Sequence, residues 1–339
     1  MATPLSHSPR RTSSLRAYLQ LMRPANIVTA MADILAGFAV AWQTLWSPGV
    51  GQEVSLGIVG YDLITPLGLL LLSTIGLYGG GVVFNDVFDA KLDAVERPER
   101  PIPSGRASLQ GATTLGIVLL LIGIVAAAFV SAFSGVLAAG IAVLALVYDK
   151  YGKHTPLGPV NMGLCRGLNL LLGVSAYEYL FSSITAAEAR ESIYPPAYLS
   201  SAFETYWLIA LIPIVYIAAI TMISRGEVHG GDKKTIKLAV SLYSLVILAI
   251  IGLSVRNGPP LWETLPFLLL FGFLIFPPVF KAIREPQPRN ISLAVKAGVI
   301  SLIVMDAALA ASFAGWLYGL GVLALLPISR LLAKTFAVT

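Results

Sequence analysis

Apolar residues fill most of this chain in long runs that are separated by short polar segments. A run of about 20 apolar residues is long enough to cross the hydrocarbon core of a bilayer as a helix. Nine runs of roughly this length are predicted spans, at 26–46, 64–84, 112–131, 134–149, 159–181, 206–224, 237–255, 262–280 and 297–316. A further apolar stretch at 317–333 is either a tenth span or a surface helix.

These runs predict an all-α fold, a polytopic transmembrane helical bundle of nine spans, or ten if the last stretch also crosses. The third and fourth spans are joined by a very short turn around Ser134 and Gly135, which predicts a tight helical hairpin. We expect a cytoplasmic N-terminal segment at 1–25, a single transmembrane domain at 26–333 and a C-terminal tail at 334–339. No soluble domain and no repeat of fixed period is evident.

Composition supports lipid as the surrounding solvent. Charged residues make up 12% of the chain, against roughly 25% in average soluble proteins, and 56% of the residues are apolar. A soluble fold of this size has too little polar surface to cover that apolar content. The net charge of +5 is small and spread over loops, so nucleic acid is not an expected partner. The single cysteine, Cys165, excludes an internal disulfide.

The distribution of basic residues predicts the orientation. With the N-terminus in the cytoplasm, all but three of the 23 Lys and Arg residues fall on or beside the cytoplasmic loops. The exceptions are Arg190, Arg256 and Arg166, and Arg166 lies within a span. Because cytoplasmic loops carry an excess of Lys and Arg, we expect a multi-pass protein of the cytoplasmic membrane with its N-terminus inside. The tenth span is favoured because it returns Arg330 and Lys334 to that side.

A cluster of acids follows the second span. On a continuing helix, residues four apart advance only about 40° around the axis, so Asn85, Asp89 and Asp93 share one stripe. An amide oxygen and two carboxylates in a row suit Mg²⁺, which usually shares its coordination with substrate phosphates. Acids at membrane depth are costly and usually face a wet, functional cavity. The sequence therefore predicts a magnesium site here.

A structural interpretation of the same segment also stands. The acids of a solvated helix end can pair with Lys91 and Arg97, and Asp86, about 100° off the stripe, can be purely structural. Downstream, prolines hold an extended loop that carries Arg97, Arg100 and Arg106. Guanidinium groups recognise phosphate oxygens bidentately, although a cytoplasmic loop is expected to be basic in any case.

The order of these two segments resembles a known signature. Asn-Asp-x-x-Asp-x-x-x-Asp at 85–93, followed by Arg-Pro-x-Pro-Ser-Gly at 100–105, resembles the UbiA family of intramembrane prenyltransferases. Arg23-Pro24 before the first span and the loop after the fourth span are also similar to that family. The resemblance implies a horseshoe-like bundle of nine helices around a central cavity that opens to the cytoplasmic side.

The resemblance also assigns roles. Asn85, Asp89 and Asp93 match the first metal-binding motif, which holds Mg²⁺ against the diphosphate of a prenyl donor, and Arg100 matches a diphosphate-binding arginine. The loop after the fourth span matches the family's pattern at one position and departs from it at another. Tyr148 matches the tyrosine of a Tyr-x-x-x-Lys element and is implied to bind the diphosphate. The lysine position of that element holds Gly152, so Lys153 is the expected substitute as a diphosphate ligand.

The second metal motif of the family, Asp-x-x-x-Asp, is incomplete. Asp232 occupies its second place, whereas its first place holds Val228 and Glu227 is displaced by one residue. Either the loop bulges so that Glu227 joins Asp232 as a metal ligand, or Asp232 coordinates alone. His229 is a ligand, a base or simply a polar loop residue. This stretch resembles the EboC-like branch of the family, and Asp89, Asp93 and Asp232 are the implied catalytic acids.

Two charged residues lie inside predicted spans. Arg166 in the fifth span needs a partner or a water-filled cavity. It is expected to face the cavity, where it contacts the diphosphate or pairs with a carboxylate across the bundle, rather than to snorkel. Asp306 in the ninth span poses the same question without a motif. Aromatic faces that could stabilise an allylic cation are Phe84, Phe88 and Tyr148.

The expected function is thus a Mg²⁺-dependent transfer of a prenyl group from a prenyl diphosphate to a lipophilic acceptor, aromatic or lipid-like, within the membrane lipid. Two other interpretations are open. Buried charges also suit a transporter or channel, although transporters usually bind their substrate near the midplane. The incomplete second motif also suits a family member whose catalysis is altered or lost and which binds a lipid or metabolite.

Overall fold

The structure, a computed structural model, describes residues 14–45, 62–153, 155–182, 196–228, 230–257 and 259–336. Within these ranges the chain forms helices and no strand, as predicted. The helices are α1 (Ser14–Met22), α2 (Pro24–Leu45), α3 (Ile64–Phe88), α4 (Ala90–Glu96), α5 (Leu109–Val130), α6 (Ala132–Val147), α7 (Gly158–Val174), α8 (Ala176–Ser182), α9 (Pro196–Ser224), α10 (Lys233–Asn257), α11 (Leu261–Arg284), α12 (Pro288–Leu323) and α13 (Leu325–Phe336). One turn of π-helix, Tyr148–Gly152, extends α6 and is called the π-turn below.

Eight helical stretches of the described chain are long and apolar enough to cross a membrane. The multi-pass character of the protein follows from them, while the number of crossings stays a prediction. The predicted fifth span is divided into α7 and α8 at Ser175, whose side chain bonds the carbonyl of Leu172. The turn of the predicted hairpin between the third and fourth spans, α5 and α6, lies at Ser131 rather than at Ser134 and Gly135. The Ser131 hydroxyl caps α6 there by accepting a hydrogen bond from the Ser134 N–H.

The last apolar stretch folds back on the bundle. Gly315 has φ +82°, and the chain reverses direction there within α12. Beyond it, the Tyr318 hydroxyl donates to the carbonyl of Leu35 and the Ser329 hydroxyl to that of Ala25. Since Leu35 lies in the middle of α2 and Ala25 at its start, this segment runs antiparallel to α2, which is the course that a tenth span would take.

Helix α2 lies at the centre of the helix packing, in contact with α3, α7, α12 and α13. Its approach to α7 is unusually close and depends on two glycines. A Cβ atom at Gly37 would collide with the carbonyl oxygen of Leu170, and one at Gly173 with that of Ile34. The backbones therefore meet directly, which places the polar residues of α7 against α2.

One end of the bundle gathers the polar segments that the sequence singled out, and we call it the motif end. Arg106 donates to Gln20 of α1 at 2.9 Å, and Arg225 of the 225–232 loop donates to the carbonyl of Thr155. The N–H of Gly231 reaches the carbonyl of Pro286 at 3.3 Å. Segments far apart in the chain thus converge at this end.

The contact between α2 and α7 makes a prediction about stability. Gly37→Ala should destabilise the protein by roughly 1–3 kcal/mol, because the new methyl group forces two backbones apart. Gly68→Ala in α3 is the matched control, since nothing lies within 4 Å of a Cβ there. That control should be neutral or stabilising by up to about 1 kcal/mol, as usual for Gly to Ala in a helix. Denaturant unfolding in detergent micelles measures both, and equal effects would contradict this account of the packing.

Candidate active site

A cavity of about 150 Å³ lies between α3, α6, the π-turn and α7, with Arg23, the residue before α2, at its edge. It extends from polar residues at the motif end to a second polar group deeper in the bundle, and apolar side chains line the space between them. The polar lining consists of Arg23, Thr74, Tyr78, Asn85, Tyr148, Asp149, Arg166 and Asn169. A membrane-embedded cavity with a polar rim can take an amphiphile whose charged head stays at the rim.

The predicted stripe of Asn85, Asp89 and Asp93 forms with a small interruption at Asp89. Helix α3 ends at Phe88 and α4 begins at Ala90, but the N–H of Asp89 still bonds the carbonyl of Asn85 and the N–H of Asp93 that of Asp89. The helical spacing is thereby kept. The three side chains nevertheless meet three different partners.

Those partners differ in the sign of their charge. The Asn85 amide donates to Asp149 Oδ1 at 2.9 Å, whereas Asp89 Oδ2 pairs with Lys153 Nζ at 2.6 Å. Asp93 Oδ2 pairs with Arg100 at 2.7 Å. Asn85 and Asp89 therefore face the π-turn, while Asp93 faces the loop after α4.

Asp86 and Asp93 form a charge-balanced group with two arginines. Asp86 Oδ1 accepts from Arg23 at 2.7 Å and lies 3.3 Å from Arg100 Nη1, which also holds Asp93. The two carboxylates and Arg100 are buried, so each charge needs the others. These ion pairs agree with the structural role that the sequence suggested for Asp86, which lies off the stripe of Asn85, Asp89 and Asp93. Asp86 Oδ2 and Arg100 Nε are buried without a hydrogen-bond partner.

The Arg-Pro-x-Pro-Ser-Gly segment positions Arg100 through its own backbone. The Ser104 hydroxyl donates to the carbonyl of Arg100 at 2.6 Å, which closes the loop onto itself. Gly105 has φ +72°, a conformation that side-chain-bearing residues rarely adopt. Arg106 then reaches back to the carbonyl of Glu99. The motif is therefore a compact loop in which the Arg100 guanidinium points inward, while the Arg106 guanidinium stabilises the loop itself.

The π-turn explains why Lys153 stands one residue beyond the family's lysine position. Its closing hydrogen bond runs from the N–H of Lys153 to the carbonyl of Tyr148, five residues earlier, at 3.1 Å. A π-turn accommodates one extra residue within a helix. Lys153 is thereby brought to Asp89, and Gly152 packs against the Tyr148 ring without a side chain of its own.

The second motif lies apart from the cavity. Asp232 lines a separate pocket together with Arg225 and the glycines of the 225–232 loop, and its side chain is exposed. Glu227 is half-buried, and His229 lies outside the described residues. Among the described residues no three His, Cys, Asp or Glu side chains are close enough together to hold a metal ion. The assignment of Asp232 and Glu227 as metal ligands stays a prediction.

The deeper polar group is built around Arg166, which pairs with a carboxylate across the bundle. Arg166 Nε lies 3.1 Å from Asp33 Oδ2, and Nη2 donates to the carbonyl of Thr29 at 3.0 Å. The guanidinium also lies 5.9 Å from the centre of the Tyr78 ring. Arg166 is thus held at the cavity by α2, and it does not snorkel.

Several residues of the site escaped sequence reasoning. Asp149 and Asp33 carry charge within apolar runs, and that was a usable signal of function. Asn169 was not detectable, because an amide in a span carries no charge; it bonds Thr74, Ala30 and Asp33. Phe84, a predicted cation-stabilising ring, packs towards Gly116 on α5, and the aromatic residues that line the cavity are Tyr78 and Tyr148.

The fold and this site together define a class: a membrane-embedded helical bundle whose cavity has a rim of paired acids and bases. The sequence over residues 34–296 matches the UbiA prenyltransferase family. The match covers well over half of the chain, and the chain belongs to this family.

Curated relatives are named digeranylgeranylglyceryl phosphate synthases. The one from Ignicoccus hospitalis is 28% identical over 86% of this chain and 92% of that protein, and the one from Sulfolobus acidocaldarius is 33% identical over 77% and 82%. Matches to the proteins of Methanosarcina barkeri and Methanosarcina mazei cover only 56% and 57% of those chains. The chain thus matches little more than half the length of these two relatives.

Solved structures share the fold. A UbiA homolog from Archaeoglobus fulgidus bound to DMAPP and Mg²⁺ superposes with a TM-score of 0.59 at 15% identity, over 91% of this chain and 99% of that one. A structure of a digeranylgeranylglyceryl phosphate synthase has a TM-score of 0.58 at 20% identity, over 89% and 99%. At these identities the likeness concerns the fold alone.

The balanced group at the rim makes a prediction about stability. Arg100→Ala should lower the free energy of unfolding by about 3–5 kcal/mol, because it leaves two buried carboxylates short of a counter-charge. Arg97→Ala is the control from the same loop, since its side chain is exposed, and it should change stability by less than about 0.5 kcal/mol. Chemical denaturation of both variants tests this. A stable Arg100→Ala protein would mean that Asp86 and Asp93 do not depend on it.

Proposed function

We propose that this protein transfers a prenyl group from a prenyl diphosphate to a lipophilic acceptor, with Mg²⁺ as cofactor. The observation that carries the proposal is the contact of Asp89 with Lys153 at 2.6 Å beside Asn85, which lines the cavity. A carboxylate and an ammonium group thus stand together at the point where an apolar cavity begins. A diphosphate with its metal needs both signs of charge, and its prenyl chain needs the cavity.

The oxygen donors at the rim fit Mg²⁺ in kind. Asn85, Asp89 and Asp93 are the predicted ligands, and Asp149 adds a carboxylate 2.9 Å from the Asn85 amide. Hard oxygen ligands of this kind suit Mg²⁺, which shares its coordination with phosphates. When bound, Mg²⁺ supplies a Lewis acid that stabilises negative charge on the leaving diphosphate.

The chain's own residues hold and neutralise the leaving group. In the proposed reaction the bond between the allylic carbon and the diphosphate oxygen breaks, and both electrons leave with pyrophosphate. The predicted diphosphate ligands include Lys153 and Arg100, with Tyr148 at the cavity wall, and cationic donors fixed in advance stabilise such a charge effectively. The allylic carbon then bonds to the acceptor, whose displaced proton passes to pyrophosphate or water.

The membrane setting suits such substrates. Each buried methylene of a prenyl tail contributes about 0.8 kcal/mol, so long-chain donors partition into lipid. The names of the relatives and the DMAPP complex of the Archaeoglobus homolog agree with a prenyl donor and a lipid product. The alternative of altered or lost catalysis rests on Val228, which stands exposed where the second motif has an acid.

Asp89→Ala should reduce pyrophosphate release from geranyl diphosphate by at least about 100-fold, since it removes a predicted Mg²⁺ ligand next to the leaving group. The Asp89 side chain is partly exposed, so the variant should fold. Glu96→Ala, exposed at the end of α4, is the acidic control and should retain full activity. Release is measured with purified protein in nanodiscs, with and without Mg²⁺. Undiminished activity of Asp89→Ala would refute the site.

Lys153→Ala should raise the KM for geranyl diphosphate about tenfold or more, the worth of one charged hydrogen bond. Lys150→Ala is a matched control from the π-turn that precedes Lys153, because Lys150 lies 5.1 Å over the exposed Tyr151 ring instead. Its KM should stay unchanged. Equal effects of the two substitutions would mean that the π-turn does not select Lys153.

A further inference from the structure

The polar residues of the cavity lie at two depths. Seven residues of α3 separate Tyr78 from Asn85, which at 1.5 Å per residue is a depth of about 10 Å. Arg166 contacts Tyr78 and the carbonyl of Thr29, so its guanidinium lies at the deeper level, which we call the cavity floor. Gly81 and Val82 of α3 line the wall between the two levels. A diphosphate held at Asn85 and Lys153 would not extend to the floor.

Arg166 retains unused hydrogen-bonding capacity towards the cavity. Its Nε faces Asp33 and its Nη2 is bonded to Thr29, but its Nη1 has no hydrogen-bond partner among the described residues. Arg166 lines the cavity, as does Tyr78 beside it. The floor therefore presents N–H groups that can donate to an oxygen atom of a ligand.

The charge at the floor is set by two carboxyl groups that face each other. Asp33 on α2 and Asp306 on α12 are both 0% exposed and interact directly. Asp33 Oδ2 receives Arg166 and Asn169, but Asp33 Oδ1 and both oxygens of Asp306 have no donor. Two buried carboxylates in contact repel each other, whereas one shared proton turns that contact into a hydrogen bond.

Two other polar side chains beside the pair already make hydrogen bonds of their own. The Asn169 amide hydrogens go to Ala30 and Asp33, and the Tyr216 hydroxyl, which lies near Asp306, donates to the carbonyl of Gly298. With one shared proton the two carboxyl groups carry a single negative charge. That charge balances the Arg166 guanidinium, and the floor is electrically neutral.

We propose that this neutral floor binds the uncharged, oxygen-bearing end of the acceptor, through Arg166 Nη1 and beside the Tyr78 ring. The inference rests on the proposed function and specifies its second substrate. An anionic head would bring an uncompensated charge about 10 Å below the rim, at a high desolvation cost. A hydroxyl group accepts the same hydrogen bonds without that cost. The acceptor would therefore keep this end at the floor and place its reacting hydroxyl higher in the cavity, beside the allylic carbon of a donor anchored at the rim.

The test compares two acceptor probes in nanodiscs, with geranyl diphosphate as donor. One probe is a long-chain glycerol ether with free hydroxyl groups, and the other is its phosphate ester. The wild type should transfer the geranyl group to the glycerol ether in preference to its phosphate ester. In Arg166→Gln the KM for the ether should rise about tenfold or more, while the KM for geranyl diphosphate stays within about twofold. Arg256→Gln, exposed and far from the cavity, is the control.

Each other outcome has a definite meaning. A preference of the wild type for the phosphate ester, or no transfer to the ether while pyrophosphate is released, overturns the neutral floor. A rise in the KM for geranyl diphosphate in Arg166→Gln, with the acceptor KM unchanged, returns Arg166 to the predicted role of diphosphate ligand. Failure of the wild type to bind or cleave any prenyl diphosphate instead refutes the proposed function itself.

The shared proton has its own readout, which does not depend on turnover. Asp306→Asn should fold, because its amide can donate to Asp33 Oδ1 in place of the proton. The infrared carbonyl stretch of protonated, buried carboxyl groups should lose intensity in this variant relative to the wild type. Asp86→Asn serves as a control and should leave the band in place, since Asp86 is paired with arginines. Identical spectra of wild type and Asp306→Asn would overturn the shared proton.

Discussion

The structure depends on one constraint: a charge inside a lipid-embedded bundle must be matched by another charge within reach. The matched charges here lie on different helices. Arg166 of α7 pairs with Asp33 of α2, and Arg23, at the start of α2, pairs with Asp86 of α3. The ion pairs that make the cavity polar therefore also hold neighbouring helices together. The same interactions stabilise the fold and form the site.

The two ends of the cavity differ in the charge that they present to a ligand. At the rim, Asp89 pairs with Lys153 close to Asn85 and Asp149, and the presence of both signs of charge suits a charged head that brings its own metal. At the floor, Asp33 and Asp306 balance a single arginine, which suits an uncharged group. One cavity thus offers different surroundings to a diphosphate and to its acceptor.

Departures from the family's motifs have different structural consequences. The extra residue before Lys153 is absorbed by the π-turn, and Lys153 still reaches Asp89. At the second motif, Val228 is exposed where the family has an acid, and Asp232 is exposed and lines a separate pocket. Asp149, beside Asn85, places an additional carboxylate at the first motif instead. The rim is therefore concentrated on α3 and the π-turn.

The sequence by itself determined the membrane bundle, because apolar runs of membrane-spanning length have one stable arrangement in lipid. It also determined the order of Asn85, Asp89 and Asp93 along α3, since helical spacing is a local property. Only the tertiary structure decided what each side chain meets: Asp149, Lys153 and Arg100 lie on other segments. The pairing of Arg166 with Asp33, 133 positions away, likewise depends on how closely α2 and α7 approach, and helix packing rather than local pattern sets that distance.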